Sequence, residues 1–212
     1  MTVTSSNDRD AEELRSELKE RGIFLVNLMS APGSGKTTLL SRTITDLSGR
    51  AEIGVMEADI ASDVDALRIA ELGARSIQVH TDGMCHMDAG MTRAGLIEME
   101  GERGIVFLEN VGNLICPAEF DTGAHKNVMI LSVPEGDDKP LKYPLMFRKS
   151  DALVITKTDA APYFDFDTEA VKRRALALNP EIRIFPVSAK TGEGMEEWES
   201  WLLSEWEEWR NA

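Results

Sequence analysis

The stretch IFLVNLMSAPGSGKTTLL at residues 23–40 constrains the fold of this chain more than any other. It opens with a continuous apolar run over 23–29, which is typical of a strand covered on both faces, and apolar residues then recur at helical spacing over 37–47. The glycine-rich turn between them can point successive backbone N–H groups at phosphate oxygens, beside the positive end of the helix dipole. The order strand, turn, helix therefore predicts a phosphate-binding loop, or P-loop.

The residue types in this loop match the chemistry of nucleotide binding. Lys36 is expected to reach the β- and γ-phosphates and to act in catalysis, and the Thr37 hydroxyl is expected to bind Mg²⁺. Ser30 occupies the first glycine position of the full pattern, and the plainer alternative is a capped turn that leads into a helix. The predicted nucleotide-binding residues are Gly33, Ser34, Gly35, Lys36, Thr37 and Thr38.

Strand-like and helix-like segments alternate along the rest of the chain. Further strands are predicted at 52–58, 76–80, 104–109, 128–133, 152–156 and 182–187, and helices around 63–72, 87–100, 140–149 and 167–179. This order predicts an α/β fold of the P-loop NTPase type, with a mostly parallel central sheet and helices on both faces. We expect a single domain over residues 1–212.

The two ends of the chain differ in apolar content. A helix predicted near 10–21 has only a thin apolar stripe, so residues 1–20 are expected to form a peripheral helix or tail outside the core. Near the other end, Trp198, Trp201, Leu202 and Trp206 fall on one helical face. That face predicts a terminal helix packed on the sheet.

Composition narrows the partners and the compartment. A formal charge of −14, from 37 acidic and 23 basic residues, argues against a broad nucleic-acid surface. No apolar run approaches the roughly 18 residues of a membrane span, and the polar, acidic start lacks the pattern of a secretory signal. Two cysteines are too few for a disulfide scaffold, so we expect a cytoplasmic protein.

Two segments at predicted strand ends resemble the guanine-recognition motifs of GTPases, Asn-Lys-x-Asp and Ser-Ala-Lys. By this resemblance Asp159 accepts from guanine N1 and the exocyclic amine, the Lys157 stem covers the ring, and the Ala189 N–H donates to O6. Adenine lacks that donor pair and would leave the carboxylate unpaired, so GTP is expected over ATP. The predicted base-binding residues are Thr156, which replaces the usual asparagine, Lys157, Asp159, Ser188, Ala189 and Lys190.

Hydrolysis requires groups that hold Mg²⁺ and position water. Asp59 and Glu109 follow or end predicted strands, and we expect Asp59 in the Mg²⁺ shell or at the attacking water and Glu109 in a Walker-B-like role. Asp63 is interpreted as a carboxylate that stabilises a helix N-terminus. No glutamine stands where a small GTPase orients its water, so turnover is expected to be slow.

The segment HTDGMCHMDAG, residues 80–90, combines Cys85 and His86, and Cys116 lies 31 residues further on. Thiolate and imidazole suit nickel and zinc. The spacing alone leaves three other interpretations open: a helix start with incidental side chains, a Cys85–Cys116 disulfide, and cysteines without a function. Three protein ligands are one too few for a closed tetrahedral site, which favours an exchangeable ion or a site completed by a second subunit. Met84 and Met87 are expected to be packing residues, and His80 and His125 to lie outside the site.

The segments SAPGSGKTTLL, EADIASDVDA, CHMDA, ENVGNLICPAEFDTGAHKNVMILSVPEGDDKPLKYP, TKTD and VSAKTGEG together resemble the HypB family of SIMIBI-class GTPases, from about residue 20 onward. The resemblance implies GTP hydrolysis with Mg²⁺, a dimer whose formation depends on GTP, and a nickel or zinc site at Cys85, His86 and Cys116. It also implies nickel insertion into [NiFe]-hydrogenase, with the hydrogenase large subunit and a second nickel metallochaperone as partners. Lys142 is implied to reach the neighbouring subunit's nucleotide.

The predicted function is therefore a GTP-hydrolysing metallochaperone. A His-rich stretch and an N-terminal cysteine motif, which some relatives carry, are absent from the sequence, so bulk metal storage is not expected. One alternative is a urease-type nickel GTPase, although its Cys-Pro-x-His motif is not matched by Cys116-Pro117-Ala118-Glu119. The other is a regulatory GTP-binding switch without a metal role.

Overall fold

The computed structural model of the chain describes residues 3–58, 69–99 and 103–212, with side chains from residue 6 onward. Seven strands in these ranges form one sheet: β1 (Ile23–Ser30), β2 (Ile53–Glu57), β3 (Arg75–Gln78), β4 (Gly104–Glu109), β5 (Lys126–Ser132), β6 (Ala152–Thr156) and β7 (Arg183–Pro186). Their order is β3-β2-β4-β1-β5-β6-β7, and all neighbours are parallel. The predicted α/β fold with a mostly parallel sheet is confirmed.

The apolar runs of the sequence correspond to the centre of this sheet. Every residue of β1, β2, β4 and β6 is buried, whereas the edge strands β3 and β7 are partly exposed. A parallel strand covered by helices on both faces has no solvent side, so its apolar residues need not alternate with polar ones. Because the strands are parallel, all of their carboxyl ends lie at the same edge of the sheet.

The helices cover both faces of the sheet. They are α1 (Val3–Arg21), α2 (Lys36–Asp46), α3 (Ala89–Glu98), α4 (Lys139–Lys142), α5 (Pro144–Lys149), α6 (Thr168–Leu178) and α7 (Met195–Asn211), and residues 69–71 are also helical. Residues 63–68 of the predicted helix 63–72, and residue 100, lie outside the described residues. None of the helices in the described ranges has the length and apolar content needed to cross a bilayer.

The prediction of a single helix over 140–149 is wrong in one respect. The structure divides it into α4 and α5 at Tyr143, whose φ of −128° and ψ of 57° are not helical. Pro144 follows directly and begins α5. Proline disfavours helical geometry in the residue before it and is well tolerated at the first position of a helix, which accounts for the break.

The prediction that the N-terminal helix lies outside the core is also wrong. Ala11, Leu14 and Leu18 of α1 are at most 1% exposed and pack in one cluster with residues of β1, β4 and α3. Arg15 adds a two-pronged ion pair to Asp121, with N–O distances of 2.9 and 3.0 Å. The apolar stripe of α1 is thin, but the residues at its i, i+3 and i+7 positions suffice to dock it on the sheet.

The C-terminal helix packs as predicted. Trp198 and Leu202 of α7 are at most 1% exposed, and Trp206 is partly buried against the same cluster. The Trp198 indole Nε1 donates a 3.0 Å hydrogen bond to Thr43 Oγ1 of α2. The helix that follows the P-loop therefore contacts both the sheet and α7.

Candidate functional site

The glycine-rich loop connects β1 to α2 at the carboxyl edge of the sheet. Gly33 and Gly35 have φ values of +75° and +92°, a region that favours glycine because other residues place Cβ against the backbone. Ser34 is buried, and its Oγ forms no hydrogen bond with the described part of the chain. A buried hydroxyl without a protein partner beside a glycine turn fits a loop that receives phosphate oxygens. Thr37 and Thr38 lie in the first turn of α2.

Lys36 and Glu109 meet where β1 and β4 end. The Lys36 Nζ is 3.7 Å from Glu109 Oε1, and the lysine side chain is only 6% exposed. Glu57, at the end of β2, lies directly opposite Glu109 in the sheet register and accepts a 2.6 Å hydrogen bond from Ser76 Oγ. Sequence reasoning did not single out Glu57, which brings a second carboxylate to this edge of the sheet. Asp59 and Asp63 lie outside the described residues.

The guanine-type motifs lie against the P-loop. Thr156 Oγ1 donates a 2.5 Å hydrogen bond to the Ser34 carbonyl oxygen, and Lys157 Nζ donates a 2.7 Å hydrogen bond to the Gly33 carbonyl oxygen. Asp159 Oδ1 accepts a 2.8 Å hydrogen bond from Ser188 Oγ, which joins the loops that follow β6 and β7. Ala189 and Lys190 lie in the turn directly after Ser188. The sequence-predicted residues of both motifs and of the P-loop are therefore close together at one edge of the sheet.

The two cysteines also come together. Cys85 and Cys116 are free thiols, and their sulfurs are 2.7 Å apart. Cys85 and His86 lie in the loop before α3, whose N-cap is Asp88, so neither is part of the helix. Adjacent residues of a helix point about 100° apart and could not face one ion together, and Cys85 and His86 are free of that restriction.

His86 is near this pair but is engaged elsewhere. Its Nδ1 is 3.9 Å from Cys85 Sγ, while its ring is 4% exposed and stacks on Phe120, with ring centroids 3.7 Å apart and planes 11° apart. Within the described ranges, no group of three or more His, Cys, Asp or Glu side chains is arranged to hold a metal ion. The structure thus pairs the thiols and leaves the predicted third ligand beside them.

Asn113 fixes the two cysteine loops to each other, and sequence reasoning missed it. Its Nδ2 donates to the Cys85 carbonyl oxygen, and its Oδ1 accepts from the backbone N–H of Ile115 at 3.1 Å and of Cys116 at 2.9 Å. The two loops follow β3 and β4, which β2 separates in the sheet. The side chain of Asn113 bridges that gap.

The protonation of the ligand candidates follows from these contacts. The hydrogen bond from Cys85 raises the pKa of the Cys116 thiol, and burial adds to the rise. Burial lowers the pKa of His86, which favours the neutral imidazole that a metal requires. Metal binding at the thiols would therefore release protons.

The remaining residues considered from the sequence are placed as follows. Met87 is fully buried as expected, whereas Met84 is 47% exposed, so the packing interpretation of Met84 is wrong. His80 is exposed. His125 stacks on Phe24, and its Nδ1 accepts a hydrogen bond from Leu25 N at 3.0 Å. Lys142 is 57% exposed and forms an ion pair with Asp138 at 2.6 Å.

The parallel sheet and the loop between β1 and α2 define a P-loop nucleotide-binding protein. A family model described as the CobW/HypB/UreG nucleotide-binding domain matches residues 24–186, and the chain belongs to the CobW/HypB/UreG family. Among its relatives is the hydrogenase maturation factor HypB of Azotobacter chroococcum mcd 1, which is 47% identical over 94% of this chain. The chain spans 66% of that relative's length.

Solved structures agree with this assignment. The crystal structure of the hydrogenase maturation factor HypB from Archaeoglobus fulgidus matches with a TM-score of 0.90 and 39% identity, over 95% of this chain and 99% of that one. HypB from Helicobacter pylori, crystallised in complex with nickel, matches with a TM-score of 0.88 and 38% identity over 96% of each chain. The resemblance to the HypB branch of the family, inferred from the motifs, is thus confirmed.

Proposed function

We propose that this chain is a GTP-hydrolysing metallochaperone that binds nickel and assists its insertion into [NiFe]-hydrogenase. The observation that carries the proposal is the proximity of the free thiols of Cys85 and Cys116, at a site tied through Asn113 to the strand that ends at Glu109. The names of the HypB relatives and the nickel complex of the H. pylori protein support this assignment.

The nucleotide in this proposal is GTP with Mg²⁺. Lys36 contacts the phosphates, Thr37 and Asp59 hold the magnesium ion, and Glu109 orients groups around it. Asp159 and the Ala189 N–H read the guanine base, while Lys157 covers the ring. The buried, unpartnered Ser34 hydroxyl supports a phosphate ligand at this loop. Mg²⁺ would neutralise charge on the phosphates, and hydrolysis is slow because the sequence has no glutamine where a small GTPase orients its water.

The cargo in this proposal is Ni²⁺, and the same ligands accept Zn²⁺. Cys85, His86 and Cys116 supply three ligands, and a second copy of the chain supplies the remainder in a homodimer that GTP favours. His86 would leave its stack on Phe120 to reach the ion. Lys142, which is largely exposed on one copy, would extend to the nucleotide of the other.

The proposal extends to the cellular setting. The partners are the hydrogenase large subunit and a second nickel metallochaperone, and the compartment is the cytoplasm. We also propose that residues 1–212 form one domain, which the burial of α1 and of α7 against the same sheet supports.

Equilibrium dialysis with Ni²⁺ and with Zn²⁺ tests the site assignment. We would compare the parent protein with Cys85→Ala and Cys116→Ala, in GDP and in a non-hydrolysable GTP analogue. Each substitution is expected to weaken nickel binding at least tenfold, because one thiolate of the paired set is lost. His80→Ala is the matched control, since His80 is exposed and lies outside the site.

Two results would contradict the proposal. If both cysteine variants bind nickel with the affinity of the parent, the assignment of the metal ligands is wrong. If the protein hydrolyses GTP but binds no metal, the regulatory GTP-binding switch is favoured. Sedimentation in the two nucleotide states, run on the same samples, tests the dimer separately.

A further inference from the structure

Three asparagine side chains form a hydrogen-bonded ladder across the centre of the sheet. Asn27 Nδ2 donates to Asn127 Oδ1 at 2.9 Å, and Asn110 Nδ2 donates to Asn27 Oδ1 at 3.0 Å. Asn27 is 1% exposed and Asn110 is fully buried. The ladder runs from β5 across β1 to the residue that follows β4. A buried amide is costly unless its polar atoms are paired, and these hydrogen bonds pair the buried side chains of Asn27 and Asn110.

Asn110, at one end of the ladder, holds the loop that carries the candidate metal ligands Cys85 and His86. Asn110 Oδ1 accepts a 3.1 Å hydrogen bond from the backbone N–H of Met87 and a 2.8 Å hydrogen bond from that of Val111. Met87 directly follows Cys85 and His86, and its side chain is fully buried. The position of the Cys85–His86 loop is therefore tied to the side chain of Asn110.

Glu109, which contacts the P-loop lysine, directly precedes Asn110 in the chain. Glu109 Oε1 is 3.7 Å from Lys36 Nζ of the P-loop, and the Glu109 carbonyl oxygen accepts from Ala58 N at 2.9 Å. The Asn110 N–H in turn donates to the Leu28 carbonyl oxygen at 3.0 Å, two residues before the P-loop begins. Phosphates that draw Lys36 away from Glu109 would thus change the contacts of the residue that directly precedes Asn110.

We propose that Asn110 is a positioning residue that couples nucleotide state to the geometry of the Cys85–Cys116 site. This inference rests on the proposed function, because it requires both ligands to bind. A change in the Lys36–Glu109 contact moves Asn110, the Met87 N–H follows it, and Cys85 moves relative to Cys116. Coupling of this kind is reciprocal, so nickel alters nucleotide affinity by the same factor.

The test measures nickel affinity in GDP and in a non-hydrolysable GTP analogue for the parent, Asn110→Ala and Asn127→Ala. The parent is expected to show affinities that differ by at least about fivefold between the two nucleotides, the lower end of ordinary coupling. Asn110→Ala is expected to bind nickel and to bind nucleotide, but its nickel affinities in the two nucleotides should differ by less than about twofold. Asn127→Ala removes the far end of the same ladder and leaves the Asn110–Met87 bond, so it is expected to keep the parent ratio.

The outcomes separate this inference from the proposed function. A parent that binds no nickel overturns the proposed function, and the inference falls with it. A parent with coupling that Asn110→Ala preserves overturns the role of Asn110 alone. A parent that binds both ligands without coupling overturns the inference and leaves the metal site standing.

A measurement on the parent protein covers the case in which Asn110→Ala fails to fold. Amide hydrogen exchange at Met87 N–H is expected to differ at least about fivefold between GDP and the GTP analogue, because the acceptor on Asn110 shifts. Equal exchange rates in the two states would overturn the inference. A residue with only a structural role in the core would give equal rates.

Discussion

The hydroxyl of Thr156, at the end of β6, donates a 2.5 Å hydrogen bond to the carbonyl oxygen of Ser34 in the P-loop. The bond connects the predicted base-binding motif to the predicted phosphate-binding loop through a side chain that is 3% exposed. Thr156 occupies the position at which the resembling motif carries asparagine, so a shorter side chain spans the gap here.

Thr156→Val is expected to destabilise the protein. Valine keeps the shape of threonine but leaves the buried Ser34 carbonyl oxygen without this donor, at a cost of about 1–3 kcal/mol in the free energy of unfolding. Urea denaturation measures the change. Thr158→Val is the matched control, because Thr158 Oγ1 is buried without a hydrogen-bond partner in the described ranges, so the substitution breaks no hydrogen bond and should not lower stability. Equal midpoints for the two variants would contradict the role assigned to the Thr156 bond.

Asp159→Ala is expected to abolish discrimination between guanine and other purines. A carboxylate that accepts from two guanine donors forms charged hydrogen bonds worth about 1.5–3 kcal/mol, so the loss of GTP affinity should exceed tenfold. Competition with a fluorescent nucleotide, using GTP, ITP and ATP, measures it. Asp165→Ala removes an exposed carboxylate from the loop after β6 and should leave the order of affinities intact. Undiminished preference for GTP in Asp159→Ala would exclude this aspartate from base recognition.

His125 is expected to make the protein less stable in mild acid. Burial, with the nearby charges of Arg15 and Lys19, lowers the pKa of His125 to about 4 in the folded protein, against about 6.5 when unfolded. The unfolded chain therefore takes up a proton that the folded chain refuses, so stability is complete above pH 6.5 and is lost as pH falls toward 4. Between pH 7 and pH 5, His125 is therefore expected to lower the free energy of unfolding by about 2 kcal/mol.

Urea denaturation at those two pH values checks this. In His125→Gln the free energy of unfolding should fall by about 2 kcal/mol less between pH 7 and pH 5 than in the parent, whatever the effect of the substitution at pH 7. His80→Gln is the control, because that imidazole is exposed and should leave the slope as it is in the parent. An unchanged slope in His125→Gln would assign the acid sensitivity to other groups.

Leu14→Ala tests whether α1 belongs to the core. Leu14 is 1% exposed, and truncation of such a leucine costs about 2–5 kcal/mol. Glu13→Ala changes an exposed neighbour on the same helix and should be close to neutral. Thermal or urea unfolding compares them. Indistinguishable variants would restore the interpretation of a peripheral tail.

The sequence predicted the sheet well because its central strands are buried on both faces and read as continuous apolar runs. α1 was misplaced because the packing of Leu14 and Leu18 depends on distant partners in β1 and α3 that no local pattern indicates. Around Cys85, too, local sequence predicted some features, and contacts between distant segments determine the others. The sequence could mark thiols and imidazole as soft ligands, but not Asn110 or Asn113, whose roles exist only once the loops after β3 and β4 meet.

Under the proposed function, the exposure of Cys85 has a kinetic consequence. A ligand set buried on all sides would have to open before releasing an ion, and the barrier to opening would limit the rate. Cys85 is exposed and Cys116 is half-buried, so an acceptor's thiolate or imidazole could bind the same ion before the first thiolate leaves. Transfer would then proceed by associative exchange, at a rate proportional to acceptor concentration, and the hydrated ion would never be released into solution.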